Sequence, residues 1–299
     1  MDYSKIIDYF KTSNCKFMIN EKMSEHTTFR IGGNADIFVE ISNINVLINS
    51  IRILKKQSIP YFLIGNGSNV LIDDSGYRGI IFNLKGEFEN IILANNTIKC
   101  GSGARLSSVC KFALKNSLSG IEFAYGIPGS VGGAIFMNAG AYGSEMKDII
   151  SFVECIDKNG NLHKMSNNEC KFDYRKSIFS SKEFVITSVE FILNNGKYNE
   201  IESKMKDLIS RRRSKQPLEY PSAGSFFKRP EGHHASALID QCGLKGLRVG
   251  DAAVSSKHAG FIINLGHATS TDVNRLKNEI ISRVLESTNV KLDTEVQFI

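Results

Sequence analysis

Hydrophobic positions along the chain alternate between two periods, and the changes of period mark its elements. Between Ser42 and Ser58 the apolar residues Val46, Leu47, Ile51 and Leu54 recur at helical spacing, with Ser42 as the expected N-cap and Pro60 just beyond the end. Extended stretches follow at Tyr61–Ile64, Val70–Ile72 and Gly79–Leu84. Ile91–Ala94 and Thr97–Cys100 predict a hairpin around Asn95-Asn96, and Leu106, Val109, Cys110, Ala113 and Leu114 mark a helix. Phe152–Ile156 and Leu162–Met165 predict a second hairpin, because both residues of its Asn159-Gly160 turn tolerate positive φ. Phe184–Leu193 reads as a strand. A helix from about Tyr198 to Arg213 turns Ile201, Met205, Leu208 and Ile209 to one face. Beyond Pro217 and Pro221 come a helix near Ala235–Cys242 closed by Gly243, a strand Gly260–Leu265, a helix Thr271–Ser287 and a short last strand in Glu295–Ile299. The pattern gives three units, at 1–84, 85–208 and 209–299.

Two glycine-rich stretches interrupt this pattern. Gly126 to Gly143 (GIPGSVGGAIFMNAGAYG) contains six glycines and no charged residue. Glycine loses the most backbone entropy on folding, so such density implies positive φ, close packing or close approach to a ligand. With no Lys or Arg inside it, an anion there would be held by backbone N–H groups and a helix N-terminus. Gly65-Asn66-Gly67-Ser68-Asn69 lies between two apolar runs and reads as strand, tight turn, strand. Neither this Gly-x-Gly nor Gly101-Ser102-Gly103 has the third glycine and helix of the dinucleotide fingerprint, and no P-loop pattern occurs. A phosphate-bearing ligand laid across glycine turns of another kind remains.

The chain has 299 residues, 42% hydrophobic and 23% charged, which places it among folded globular proteins. Its charged N-terminus lacks a signal peptide's apolar core, no segment approaches a membrane span, and six cysteines are scattered without a C-x-x-C pair. These features predict a cytoplasmic protein with reduced thiols, no membrane insertion and no metal site. The net charge of +6 is concentrated only at Arg211-Arg212-Arg213-Ser214-Lys215. Without a longer basic stripe and interleaved aromatics, it suits a small anionic substrate better than nucleic acid.

Several segments, in order, resemble one family: Thr28-Phe29-Arg30-Ile31-Gly32-Gly33, Gly65–Asn69, Gly126–Gly143, Phe172–Phe179 (FDYRKSIF), Gly224-Ser225-Phe226-Phe227-Lys228, Leu238–Gly246 and Leu292–Val296. The chain is similar to the UDP-N-acetylenolpyruvoylglucosamine reductases, flavoenzymes of peptidoglycan precursor synthesis, from about Thr27 to Phe298. The resemblance implies an α+β flavoprotein with a vanillyl-alcohol-oxidase-like FAD-binding fold in the first two units and a C-terminal α/β substrate-binding domain. It implies non-covalent FAD, NADPH as electron donor and UDP-N-acetylglucosamine enolpyruvate as substrate, in a protein expected to be a monomer. FAD contacts carry over to Arg30, Gly65, Asn66, Gly67, Ser68, Asn69, Pro128, Gly129, Ser130, Gly132, Gly133, Asn138 and Gly140.

Reducing an enolpyruvyl ether requires hydride at its terminal carbon, charge stabilisation at the carboxylate and a proton for the adjacent carbon. By the resemblance Arg175 holds the carboxylate, Ser225 donates the proton and Glu295 assists; Tyr174, Arg212, Lys215, Lys228 and His258 contact substrate or cofactor phosphates. The residues alone leave other readings open. Arg175 among aromatics also fits packing or a surface salt bridge, Ser225 a turn, Glu295 an exposed edge, Arg212 a helix end and His258 a satisfied core histidine. Phe226 and Phe227 are expected to shield Ser225 from water. The chain departs from the family's long form in two ways: Leu193–Arg211 is too short for a tyrosine-bearing insertion, and Arg229 stands where an Asn is expected. An FAD oxidase of a small alcohol on the same scaffold is the alternative activity.

Overall fold

A computed structural model describes residues 1–299, which fold as two compact units interleaved along the chain. The first comprises Met1–Ile19, Ile37–Asn66 and Gly79–Ser210; the second comprises Asn20–Asp36, Gly67–Arg78 and Arg211–Ile299. No helix is long and apolar enough to cross a membrane.

The first unit is built on two sheets. A four-stranded sheet, lying mainly in this unit, has the order Lys16–Lys22, Asn34–Ile41, Tyr77–Leu84, Tyr61–Ile64, and its last two strands run parallel. Helices Ser4–Thr12 and Ile44–Gln57 bury Ile6, Phe10, Leu47, Ile51 and Leu54 in a common core with Ile80 and Phe82. The N-cap of the second helix is Asn43 rather than Ser42, because the Asn43 side chain accepts hydrogen bonds from the N–H groups of Asn45 (2.8 Å) and Val46 (3.4 Å). The five-stranded antiparallel sheet has the order Leu162–Ser166, Ile150–Asp157, Phe184–Ile192, Thr97–Gly101, Ile91–Ala94. Its core takes in the apolar faces of helices Leu106–Lys115, Val131–Phe136 and Tyr198–Lys215.

The second predicted hairpin forms, but with a different turn. Residue 157 bonds across to Asn161, and of the turn residues only Gly160 has positive φ (80°). The Asp157 carboxylate accepts the N–H groups of Asn159 (2.8 Å) and Asn161 (2.9 Å), so a three-residue turn is fixed from its own base.

The second unit centres on a four-stranded antiparallel sheet, Ser222–Ser225, Phe261–Asn264, Ala252–Val254, Arg248–Val249, packed by helices Ala235–Gln241 and Ser270–Thr288. The last strand, Gln297–Phe298, pairs in parallel with Val70–Leu71. The strands flanking Gly65–Asn69 therefore have different partners and do not form a hairpin.

Segment 67–78 earns its place here through Asp74. Its carboxylate accepts the backbone N–H groups of Ser270 (2.7 Å) and Thr271 (3.0 Å), capping a helix nearly two hundred residues away that already has a Thr269–Asp272 capping box. Burial pushes the Asp74 carboxyl up, but the hydrogen bonds from Ser270 and Thr271 outweigh it and hold the group below the usual carboxylate range. A depressed folded-state value means this stabilisation is complete above about pH 4 and is lost as pH falls through the lowered value. Asp74→Ala is expected to cost about 1 kcal/mol at neutral pH, a typical cap contribution. Denaturant titrations should show that difference shrinking toward pH 3; an equal loss at both pH values would contradict the charge-based cap.

Candidate active site

The two glycine stretches meet inside the first unit. A Cβ placed on Gly65 would lie 2.2 Å from Oγ of Ser130, so the first loop rests against that hydroxyl and a side chain there would have to displace it. Ser130 is the N-cap of the six-residue helix Val131–Phe136, and its hydroxyl accepts the N–H of Gly133 (3.3 Å). The remaining first-turn amides are also engaged: Val131 donates to the carbonyl of Ala104 (2.8 Å) and Gly132 to that of Ser102 (2.7 Å). The helix N-terminus expected to hold an anion is thus satisfied within the protein, and its glycines serve close packing. By contrast, the N–H groups of Gly65, Asn66, Gly67 and Ser68 make no hydrogen bond inside the protein. Beside Gly132, the buried Ser102 hydroxyl has no partner. Ser102 lies inside the incomplete Gly101-Ser102-Gly103 pattern, and that glycine pair is the sequence signal that marks it. Unsatisfied amides and an orphaned hydroxyl are what a bound diphosphate would complete.

The same segment positions Arg175. Asp173 and Lys176 exchange backbone hydrogen bonds (2.9 and 3.1 Å), closing a tight turn with Tyr174 and Arg175 at its tip. Arg175 takes a left-handed φ of 52°, which a non-glycine residue adopts only when its surroundings impose it. Its guanidinium donates to the carbonyl of Gly140 (3.2 Å) and stands 5.1 Å from the centre of the exposed Tyr174 ring. Asn138 fixes this arrangement. Fully buried, it donates to Glu145 (2.6 Å) and to the carbonyl of Asp173 (3.1 Å), and accepts from the N–H of Lys147 (2.9 Å). Its side chain is occupied by protein partners.

Ser225, Lys228 and Glu295 come together in the second unit. Lys228 N–H donates to the carbonyl of Asp293 (2.8 Å), Phe227 pairs with Thr294, and Glu295 N–H donates to the carbonyl of Phe226 (2.9 Å). Glu295 thus runs antiparallel beside the residue after Ser225. The Ser222–Ser225 strand is bulged against Phe261–Asn264, with Gly224 at φ 77°, and a bulge of this kind re-aims a side chain. Ser225 is exposed, whereas Phe226 and Phe227 are 0% and 5% exposed. The phenylalanines therefore anchor the strand in the core, and the shielding of Ser225 expected from the sequence does not occur.

His258 lies behind this strand. Its Nδ1 accepts the N–H of Gly260 (3.1 Å), so the neutral ring carries its proton on Nε2, and the carbonyl of Gly260 accepts the N–H of Phe226 (2.8 Å). Burial, aided by the charge of Lys245, pushes the His258 imidazole down, favouring that neutral form. Arg212 and Lys215 occupy the last turn of the Tyr198–Lys215 helix, and Lys257 donates to the carbonyl of Arg213 (2.9 Å) at that end. Arg30 is exposed with φ 55°. The cysteines are free thiols, four of them buried, and burial pushes Cys155 and Cys170 up to about 12, which leaves those two as thiols rather than nucleophilic thiolates.

Comparison with known proteins agrees with these features. Residues 35–166 match an FAD binding domain, and residues 216–299 match the C-terminal domain of UDP-N-acetylenolpyruvoylglucosamine reductase. The reductase of that name from Caldanaerobacter subterraneus subsp. tengcongensis is 47% identical over 95% of this chain and 94% of its own length. That of Clostridium perfringens is 44% identical over 100% of this chain and 98% of its own length. Among solved structures, the reductase from Thermus caldophilus superposes with a TM-score of 0.81 at 35% identity, covering 95% of this chain and 98% of that one. The α+β architecture, the FAD-binding domain and similarity along nearly the full length have one reading: the chain belongs to the UDP-N-acetylenolpyruvoylglucosamine reductase family of oxidoreductases.

Proposed function

We propose that this protein reduces UDP-N-acetylglucosamine enolpyruvate to UDP-N-acetylmuramate, using non-covalently bound FAD and electrons from NADPH, as a cytoplasmic monomer. The observation that carries this reading is the pairing of the bulged Ser225 strand with the segment holding Glu295. An exposed hydroxyl and a carboxyl lie on segments bonded to each other just beyond the end of that strand. The match through residues 216–299 disfavours the oxidase alternative.

Residues 1–84 and 85–208 are assigned to FAD and 209–299 to substrate. The open amides of Gly65–Ser68 and the hydroxyl of Ser102 fit a diphosphate; Arg30, Asn69, Pro128 and Gly140 are proposed as further cofactor contacts, and Gly129, Ser130, Gly132 and Gly133, whose amides or hydroxyl are engaged within the protein, would meet the cofactor by packing alone. Asn138 acts in the same region by holding the Arg175 turn. When bound, FAD supplies the hydride that adds to the terminal carbon of the enolpyruvyl group.

Arg175 offers the substrate carboxylate parallel N–H donors as negative charge builds beside it. Ser225 then gives its proton to the carbon bearing that carboxylate. A hydroxyl is a weak acid, but a carbon-centred enolate is basic enough to take the proton. Glu295, held beside the strand, assists that transfer. Arg212, Lys215 and Lys228 face the diphosphate as point charges and donors, and Tyr174 and His258 complete the substrate surface.

Ser225→Ala tests the assignment. Flavin reduction by NADPH needs no serine proton and should stay near the native rate. Flavin reoxidation by the UDP-sugar should slow by roughly a hundred- to ten-thousandfold, the range for positioned acid catalysis. Stopped-flow absorbance reads each half, and Ser225→Cys should restore part of the second. Equal slowing of both halves, or of neither, would remove Ser225 from the chemistry.

The basic groups Arg212, Lys215 and Lys228 offer one evident anion site outside the glycine loops, so NADPH and the UDP-sugar should occupy it in turn. Initial-rate plots at varied concentrations of both are then parallel. Intersecting lines would show both ligands bound at once.

A further inference from the structure

The Gly67–Asn69 half of the first glycine loop has bonding partners of its own within the second unit. Gly67 packs so closely on the chain at His26–Thr28 that a Cβ there would lie 2.1 Å from the His26 carbonyl oxygen. The N–H of Thr28 donates to the Gly67 carbonyl at 3.0 Å. Thr28 in turn makes a reciprocal pair with Ser222: the N–H of Ser222 donates to the Thr28 carbonyl (3.2 Å), and the Thr28 hydroxyl donates to the Ser222 carbonyl (2.7 Å). Ser222 begins the bulged strand that ends at Ser225. On the other side of the loop, the Asn69 side chain donates to the carbonyl of Glu295 (3.2 Å) and the Asn69 carbonyl accepts the N–H of Gln297 (3.1 Å).

Resting on the reading of Ser225 as proton donor and Glu295 as its assistant, we infer that Thr28 and Asn69 are positioning residues for proton delivery. They tie both strands of the pair to one rigid loop. The direct pairing of Glu295 with Phe226 sets which residues stand opposite. The loop sets how the two strands are held along their length, because Thr28 fixes the start of the bulged strand and Asn69 fixes the residue that carries the carboxyl. A bulge concentrates local freedom at Ala223-Gly224, so the strand needs an anchor ahead of it to aim Ser225 reproducibly. Thr28 is that anchor, bonding Ser222 at both its N–H and its carbonyl. The same loop exposes the unengaged amides of Gly67 and Ser68, so a ligand that satisfies them also stiffens the scaffold of the proton-delivery pair.

The test uses the FAD-loaded enzyme and separates aiming from general stability. Thr28→Val keeps the side-chain shape and removes the hydroxyl donor; Thr28→Ser restores it. In Thr28→Val, flavin content and the rate of flavin reduction by NADPH should remain within about twofold of native. Reoxidation by the UDP-sugar should slow about five- to tenfold, the effect of losing one net hydrogen bond expressed as a rate, and its solvent deuterium isotope effect should rise. Thr28→Ser should return both quantities to native values, and Asn69→Ala should slow reoxidation in the same direction. Equal slowing of both half-reactions, loss of flavin, or no slowing in Thr28→Val would overturn the inference and leave Thr28 a fold contact. Ser225→Ala measured alongside distinguishes the two readings. If it slows reoxidation while Thr28→Val does not, the positioning role alone fails. If Ser225→Ala leaves reoxidation at the native rate, the proton-donor reading fails and the positioning role with it.

Discussion

The arrangement of the site depends on one close backbone approach, that of the Gly65–Asn69 loop to its neighbours. At Gly65 the neighbour is the Ser130 side chain, and at Gly67 it is the carbonyl of His26; in each case a Cβ would overlap a heavy atom, at 2.2 and 2.1 Å. Absence of side chains lets the main chain itself become the surface. The amides of Gly65, Asn66, Gly67 and Ser68 are left open. A conventional helix N-terminus would offer the same donors, yet the one at Val131 is closed off by Ser102, Ala104 and Ser130.

Left-handed backbone recurs along the chain, and four such residues lie in the segments assigned to chemistry. Arg30, Asn138, Tyr142 and Arg175 all have left-handed φ between 44° and 56°. Each such residue costs free energy and persists only where surrounding bonds over-determine it. For Arg175 those bonds are visible: the Asp173–Lys176 closure, the Gly140 carbonyl and the buried Asn138 side chain. The guanidinium is held in place before any substrate arrives, so little side-chain freedom remains to be lost on binding.

Local pattern made much of the fold legible. The Ile44–Gln57 helix, the Tyr61–Ile64 strand and the Ile91–Gly101 hairpin follow from residues within each element's own span. The Ser4–Thr12 helix was passed over although Ile6 and Phe10, four residues apart, supply its buried face. Contacts between distant segments were not legible. Nothing near Val70 announces a parallel partner at Gln297, and nothing near Asp74 announces the helix it caps. For the site, ordered motifs named the residues, but burial had to come from the fold. Ser225 proved exposed and Asn138 proved fully engaged because each depends on neighbours far away in the chain. The missed Ser102 shows the same limit: an orphaned hydroxyl exists only in three dimensions.

The bonds joining Thr28 to Ser222 and Asn69 to Glu295 close chain separations of 194 and 226 residues. Contacts of such range are entropically costly and form late, after local helices and hairpins are in place. The segments carrying Ser225 and Glu295 are consequently tied to the Gly65–Asn69 loop late in folding. During folding the polypeptide therefore passes through a nearly complete fold in which these distant segments have not yet met.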